Sequence, residues 1–185
     1  MTSPMFPAID TWILPQAAVA ASLEEMAIDG RAGNEGIVLW LGRREGRVAE
    51  VTHVVRLRGP LVAKAPDLLT VDSVLFADVA DLAFELGVRL VGQVHSHGPF
   101  AGVRFSRTDH TYGLRVPSYL SAVAPDYALN PDTQAIDFGF HVFEPSTDAA
   151  GCYRLLNTDE VRTRILTPAD RVVQVLSVGE DPCEP

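Results

Sequence analysis

Cysteine and lysine are unusually scarce in this 185-residue sequence. Cys152 and Cys183 are the only cysteines, which is too few for a disulfide framework or for a zinc site built from thiolates. A reducing, cytoplasmic setting is therefore expected. Lys64 is the only lysine among 15 Lys and Arg residues, a bias that a GC-rich coding sequence explains.

Long apolar runs and basic stripes are also missing. The longest apolar run is Gly36 to Leu41, far shorter than the roughly 20 residues that span a bilayer. The first ten residues, MTSPMFPAID, contain neither a basic n-region nor an apolar h-region, so they do not predict a secretory signal. A net charge of −9 without a basic patch argues against nucleic acid as a partner.

The remaining composition is typical of a folded globular chain. Hydrophobic residues make up 47% of the sequence and charged residues 21%, which distinguishes it from a disordered protein. The length is enough to bury a substantial core. We therefore expect a single domain over residues 1–179, followed by an acidic tail at 180–185.

Apolar periodicity and capping residues divide the chain into helices and strands. The predicted helices cover residues 15–30, 72–86, 106–117 and 158–166. The predicted strands cover residues 36–42, 47–58, 88–94, 119–124, 135–143 and 171–178. Strand 36–42 is apolar throughout, which is typical of a central strand buried on both faces.

Several local expectations accompany these elements. Pro15 suits the first position of its helix, residues 43–46 resemble a turn, and residues 59–69 resemble an irregular connection. One face of strand 47–58 is predicted to carry Val51, His53, Val55 and Leu57. The core stripe of helix 72–86 is predicted to be Leu75, Val79, Leu82 and Leu86.

The stretch 94–110, VHSHGPFAGVRFSRTDH, contains the main chemical signal. His95 and His97 follow a predicted strand, and side chains two apart in extended chain point to the same side. Ser106 is a good helix N-cap, and Asp109 lies one helical turn further on. Two imidazoles and one carboxylate are good zinc ligands, and three protein ligands leave a fourth position for water or substrate. The pattern predicts one catalytic Zn²⁺ per chain.

Amide hydrolysis also requires a proton carrier and an oxyanion donor. Glu35 is the candidate general acid/base, because it lies at the start of the buried strand 36–42. It would reach the metal-activated water if that strand lies beside strand 88–94. The Ser106 hydroxyl is the candidate oxyanion donor. Arg104 and Phe105, which precede Ser106, are candidate substrate contacts.

Glu35, His95-Ser-His97, Ser106 and Asp109 together resemble the JAMM motif of the MPN-plus (JAB-domain) zinc metalloproteases. That motif has an upstream glutamate, HxH, a spacer of about seven residues and SxxD; here the spacer holds eight residues, and Gly98 is the extra one. The resemblance covers residues 35–124. It implies His95, His97 and Asp109 as zinc ligands, Glu35 as general acid/base and Ser106 as oxyanion stabiliser.

The resemblance also implies a fold and a substrate class. The implied fold is α+β (mixed α/β), with a mixed β-sheet flanked by helices, as in the JAB/MPN domain and the similar cytidine-deaminase-like fold. The implied activity is a bacterial stand-alone, deubiquitinase-like isopeptidase that cleaves at the C-terminus of a ubiquitin-like protein or its conjugates. Bacterial members of this kind occur with E1-like and E2-like partners, including in antiviral conjugation operons.

Two other functions fit the same sequence. A JAB hydrolase can act on a sulfur-carrier protein or on cell-wall or phage-tail peptides, although no export signal favours the cell-wall substrate. A non-catalytic MPN scaffold would keep the fold without the chemistry, but such relatives lack ligands that are all present here. Among the other histidines, His53 and His141 are expected to be structural, whereas His110 is a candidate neighbour of the metal ligands.

Overall fold

The computed structural model describes residues 8–144 and 151–179. Its helices are α1 (Gln16–Gly30), α2 (Ser73–Glu85), α3 (Arg107–Tyr112) and α4 (Thr158–Arg164). Its strands are β1 (Thr11–Ile13), β2 (Ile37–Glu45), β3 (Val48–Leu57), β4 (Val62–Lys64), β5 (Leu69–Val71), β6 (Arg89–Ser96), β7 (Leu120–Ala124), β8 (Gly139–Glu144), β9 (Cys152–Leu155), β10 (Ile165–Leu166) and β11 (Gln174–Val178). The predicted tail 180–185 lies outside the described residues.

Nine strands form one mixed sheet, in the order β10-β1-β3-β2-β6-β7-β8-β9 with β11 also paired to β3. β2 is antiparallel to both β3 and β6, whereas β6 and β7 are parallel. Helices flank this sheet, so the prediction of an α+β fold with a mixed sheet is confirmed. The pairing of β2 with β6 brings the start of one strand beside the histidine end of the other.

The central strand β2 divides the core into two layers. Val38 and Trp40 pack on the side of α1, where the Trp40 indole donates to Ser22 Oγ at 3.0 Å. Leu39 and Leu41 pack on the opposite side, against α2. Helices therefore cover both faces of β2, as the unbroken apolar run of this strand predicts. None of the helices in the described ranges is long and apolar enough to cross a membrane.

The prediction that Val51, His53, Val55 and Leu57 lie on one face of β3 is wrong, because β3 contains a β-bulge. Leu41 pairs with His53 and Gly42 pairs with Val51, so Thr52 is an extra residue on β3. Because an extra residue reverses the alternation of side chains, Val51 joins the α1-side core. Val55 and Leu57 join the α2-side core, although sequence alternation had placed all of them on one face.

Five short strands were not predicted: β1, β4, β5, β9 and β10. Residues 59–69 were expected to be irregular, but they contain β4, which forms an antiparallel hairpin with β5. β9 adds an edge strand to β8. The β4–β5 strands have only three residues each, and a three-residue segment is too short to show a clear alternation.

Several predicted boundaries also differ from the structure. β2 continues to Glu45 through the expected turn, since Gly46 (φ 56°) makes the reversal. α3 ends at Tyr112, with Gly113 as its C-cap, rather than at Pro117. The strand predicted from residue 135 begins at Gly139 after a 3₁₀ turn. Pro15 is the N-cap of α1 rather than its first residue.

The predicted core stripe of α2 is correct in part. Leu75 and Val79 of α2 are buried as predicted, but Ala83 completes the buried stripe and Leu86 is 40% exposed. Leu86 follows the last helical turn, so it does not face the sheet.

The last predicted helix ends at Arg164, because Ile165 and Leu166 pair with β1 instead. The last strand begins at Gln174, three residues after the predicted start.

Candidate metal centre

His95 and His97 project from the end of β6 towards one point. His95 is within the strand, and His97 is the first residue after Ser96, where β6 ends. Their side chains are nearly inaccessible to solvent, and the two Nε2 atoms lie 3.2 Å apart. The expectation from the HxH spacing is met, because residues two apart in extended chain present their side chains on the same side.

Asp109 approaches the same point from α3. Its Oδ2 lies 3.2 Å from His97 Nε2, and its Oδ1 lies 3.3 Å from His95 Nε2. Oδ2 also accepts the Ser106 backbone N–H at 2.7 Å, while Ser106 Oγ accepts the Asp109 N–H at 3.2 Å. This capping box holds the first turn of the helix and the carboxylate together.

The three side chains form an environment that favours positive charge. Burial alone would raise the pKa of Asp109, but hydrogen bonds with His95 and His97 hold that pKa well below its usual range. Burial likewise opposes protonation of His97, yet Asp109 and Glu35 raise its pKa. A metal cation between the three side chains would interact favourably with the same histidine nitrogens and carboxylate oxygens.

The triad fits a tetrahedral metal ion. His95, His97 and Asp109 present ligand atoms that all lie within 4.8 Å of one another. Bonds of about 2.0–2.1 Å at the tetrahedral angle separate ligand atoms by about 3.3 Å, close to the observed 3.2–3.3 Å. His97 Nδ1 lies 3.1 Å from Gly102 O. Since a carbonyl only accepts, Nδ1 carries hydrogen and leaves Nε2 as the ligand atom.

Glu35 lies next to the triad because β2 pairs with β6. Ile37 pairs with His95 in the antiparallel ladder, so the chain before β2 runs beside the chain after β6. Ser96, between the two histidines, fixes this junction: Gly36 N donates to Ser96 Oγ at 2.9 Å, and Ser96 N donates to Gly36 O at 2.9 Å. The strand adjacency on which the sequence interpretation of Glu35 depended is therefore present.

Glu35 and two residues of the triad, His95 and Asp109, line one cavity of about 550 Å³. Glu35, His95 and Asp109 supply its charged residues together with Asp67, and the β4–β5 hairpin contributes its apolar side chains Leu68 and Leu69. Burial raises the pKa of Glu35 to about 7, with Asp109 and Asp67 adding to the rise and His97 opposing it. A carboxyl group with a pKa near 7 is suited to both accept and release a proton at neutral pH.

The other predicted site residues, Ser106, Phe105 and Arg104, differ in whether they line the cavity. Ser106 and Phe105 line the cavity. The Ser106 oxygen accepts the Asp109 N–H, which leaves the hydroxyl hydrogen available to a substrate oxygen. Arg104 is exposed and is not among the described residues that line the cavity.

His141 has a role in the site that sequence inspection did not detect. It is buried on β8, its Nδ1 donates to Gly139 O at 3.1 Å, and its Nε2 accepts the Phe105 N–H at 3.2 Å. Its ring stacks on Phe105 with centroids 3.9 Å apart. Burial lowers the pKa of His141 to about 4, so the ring stays neutral and keeps its acceptor. No local motif links residues 105 and 141, so only the fold reveals this contact.

The remaining histidines lie outside the triad. His53 is buried on β3, its Nδ1 lies 2.8 Å from Thr52 Oγ1, and burial lowers its pKa. His110 is exposed and its ring packs edge-on to Phe105, with centroids 5.5 Å apart. It therefore reaches the site through Phe105.

Comparison with known proteins identifies a similar fold but no family. No family model matches the chain, and no curated protein matches it. The chain is similar to the solution structure of the protein DSY2949 from Desulfitobacterium hafniense, with a TM-score of 0.53 and 20% sequence identity. The match covers 87% of this chain and 95% of that one. At this identity the likeness is one of fold alone.

Proposed function

We propose that this protein is a zinc-dependent peptidase or isopeptidase. Its substrate would be the bond at the C-terminus of a ubiquitin-like protein or of its conjugates. The observation that carries the proposal is that Glu35, a carboxyl group outside the ligand set, lines the same cavity as the ligands His95 and Asp109. A metal-ligand set and a separate proton-carrying carboxyl group are the two requirements of metal-assisted amide hydrolysis.

Each residue of the site would have one task. Zn²⁺ held by His95, His97 and Asp109 supplies Lewis-acid polarisation of the carbonyl and activation of water. Glu35 takes a proton from the attacking water and returns it to the nitrogen of the leaving amine. Ser106 donates its hydroxyl hydrogen to the oxygen that gains charge in the tetrahedral intermediate.

The donor set alone does not identify the ion, because two histidines and one carboxylate also suit Fe²⁺. Glu35 favours hydrolysis over oxygen chemistry, because a carboxyl group outside the ligand set can accept a proton from a water molecule in the same cavity and return it. Metal analysis of the purified protein tests this choice. Stoichiometric zinc supports the proposal, and stoichiometric iron contradicts it.

The substrate class rests on the resemblance of Glu35, HSH and SxxD to the JAMM motif. The JAB/MPN fold belongs to this proposal as well, and a mixed sheet flanked by helices is compatible with it. E1-like and E2-like proteins are the expected partners. Sulfur-carrier proteins and cell-wall or phage-tail peptides are the other substrates to include in the assay.

The decisive experiment compares Glu35→Gln with Glu24→Gln on a ubiquitin-like fusion protein in the presence of zinc. Glu24 is an exposed glutamate of α1 and serves as the matched control. Glu35→Gln should lower kcat by about 10²-fold or more, since general acid/base catalysis contributes that much, and should retain zinc. Full activity in Glu35→Gln would contradict the mechanism. A zinc-free protein without activity would indicate the non-catalytic scaffold.

The same assay distinguishes the role of Ser106 as oxyanion donor from its role as the N-cap of α3. Glycine is nearly as good an N-cap as serine, whereas alanine loses about 1 kcal/mol of helix stability. Ser106→Gly should therefore fold almost normally and still lose about 10²-fold in kcat, as removal of an oxyanion donor does. If Ser106→Gly is active and only Ser106→Ala is impaired, Ser106 acts through the cap alone.

A further inference from the structure

A strained turn lies beside the metal centre. Asp126, Tyr127 and Ala128 have φ values of 51°, 55° and 58°, in the left-handed region that residues with a side chain rarely adopt. Three such residues in succession form one left-handed turn. Strain of this kind persists only where the surroundings hold it, and it is most frequent near functional sites.

Contacts on two sides hold Tyr127 in this turn. Its backbone N–H donates to His97 O at 2.7 Å, directly at the end of the histidine strand. On the other side its carbonyl packs against the last residue of α1, Gly30. A Cβ at Gly30 would lie 2.2 Å from Tyr127 O. The turn therefore packs between the end of α1 and the end of β6.

The Tyr127 side chain continues towards the β4–β5 hairpin. Its ring lies over Gly98, where an added Cβ would come within 2.7 Å of the hydroxyl oxygen and 2.8 Å of Cζ. Its hydroxyl donates to Pro66 O at 3.1 Å, in the hairpin turn. Gly98, the extra residue of the ligand loop, thus provides the space through which Tyr127 reaches the hairpin.

The hairpin in turn holds Glu35. Ala65, the neighbour of Pro66, accepts the Glu35 N–H through its carbonyl at 2.9 Å. The ammonium of Lys64, the only lysine, pairs with Asp29 near the end of α1 at 2.8 Å. The same hairpin contributes Asp67 to Val71 to the cavity. Tyr127 therefore contacts both the segment that carries the metal ligands and the segment that holds the general acid/base.

We propose that Tyr127 is a positioning residue. It holds the β4–β5 hairpin, and with it the cavity wall and the Glu35 backbone, in a fixed place relative to His97. Gly98 is the residue that makes this arrangement possible. The proposal rests on the proposed function where it concerns catalysis, but the coupling of Tyr127 to the hairpin is a property of the fold and is measured separately.

The test measures hydrogen exchange and kinetics in Tyr127→Phe and Tyr127→Asn, each with zinc bound. Phenylalanine removes only the hydroxyl. Asparagine removes the ring but tolerates left-handed backbone, so this variant keeps the turn. Tyr127→Phe should speed amide exchange in residues 62–71 about fivefold, as expected for the loss of one hydrogen bond. It should raise KM about fivefold through the looser cavity wall and lower kcat by a few-fold through the displaced Glu35, with zinc affinity changed less than about twofold.

Substitution of Gly98 supplies a second, independent variant. Gly98→Ala should raise KM at least as much as Tyr127→Phe, because the new methyl group displaces the ring. The same substitution added to Tyr127→Asn should change KM less than about twofold, since the ring is no longer there to displace. An equal effect of Gly98→Ala in both backgrounds would contradict the proposed contact.

Tyr119→Phe is the matched control. It also loses a tyrosine hydroxyl bond, to Gln93 Oε1 at 3.2 Å within the sheet, and it should leave exchange in residues 62–71 unchanged. Unchanged hairpin exchange in both Tyr127 variants, or uniformly faster exchange with unchanged KM, overturns the proposal. If the wild-type protein cleaves no substrate, the proposed function fails, while hairpin exchange still decides whether Tyr127 is coupled to the hairpin.

Discussion

At the scale of single residues, Glu35 is the group whose chemistry the fold changes most. Burial, with Asp67 and Asp109 nearby, raises its pKa to about 7 from a usual value of 4.5. A carboxyl group with a raised pKa binds more protons in the folded state than in the unfolded chain between these two values. Its contribution to the free energy of unfolding therefore falls as pH rises from about 4.5 to 7.

Glu35→Gln should consequently stabilise the metal-free protein at alkaline pH. Glu35 is only partly buried, so after allowance for solvent screening we expect a gain of about 1 kcal/mol at pH 8 and almost none at pH 5. Urea unfolding at both pH values, with a chelator present, measures the difference. Glu24→Gln should change the unfolding free energy by less than about 0.5 kcal/mol at either pH. A gain that does not depend on pH would refute the raised pKa.

At the scale of elements, the loop between His97 and Ser106 is shaped by its contact with β8. Val103 packs on Gly139, and Phe105 N donates to His141. Val103 and Phe105 are two residues apart and contact Gly139 and His141, which are also two residues apart, so residues 103–105 lie along β8. This contact places Ser106 at the start of α3 and thereby delivers Asp109 to the triad.

Gly139→Ala should therefore weaken zinc binding as well as stability. The added Cβ would lie 1.8 Å from Val103 O, which forces the loop away from β8. We expect a loss of about 2 kcal/mol in stability, within the range for overpacking, and at least about tenfold weaker zinc affinity. Isothermal titration with zinc and urea unfolding give the two values.

Gly42→Ala is the control for this substitution. Its Cβ would lie 1.9 Å from Glu50 O, a similar clash at the β2–β3 bulge. It should lose comparable stability and retain zinc affinity. Equal zinc affinity in both alanine variants would mean that docking on β8 does not position Asp109.

At the scale of the whole molecule, the metal centre joins segments that are distant along the chain. His95 and His97 belong to the middle of the sheet, Asp109 to a short helix, and Glu35 to the segment that leaves α1. The two core layers on either face of β2 support this junction. A ligand that binds only where these segments meet stabilises the folded state relative to the unfolded chain.

Zinc should therefore stabilise the whole protein. At a free concentration 100 times Kd, one site adds about 2.7 kcal/mol to the free energy of unfolding, and a chelator should reverse the gain. Asp109→Asn should abolish most of this zinc-dependent increment, whereas Asp78→Asn, an exposed position on α2, should keep it. Chemical denaturation with and without zinc measures the increment. An undiminished increment in Asp109→Asn would place the ion elsewhere.

The sequence by itself determined the residue types of the site and most of the regular elements. The HxH spacing is a local property of extended chain, and the SxxD spacing is a local property of a helix start, so His95, His97, Ser106 and Asp109 could be grouped by spacing alone. The unbroken apolar run of β2 likewise predicted a strand buried on both faces. These features depend on residues that are close along the chain.

Only the tertiary structure decided how these pieces meet. The nearness of Glu35 depends on the β2–β6 ladder, the place of Phe105 depends on His141, and the hairpin depends on Tyr127. Each of these contacts joins residues separated by more than 30 positions, and such pairings leave no periodic signal in the chain. The bulge at Thr52 shows the same limit, because one extra residue reverses the faces that alternation predicts.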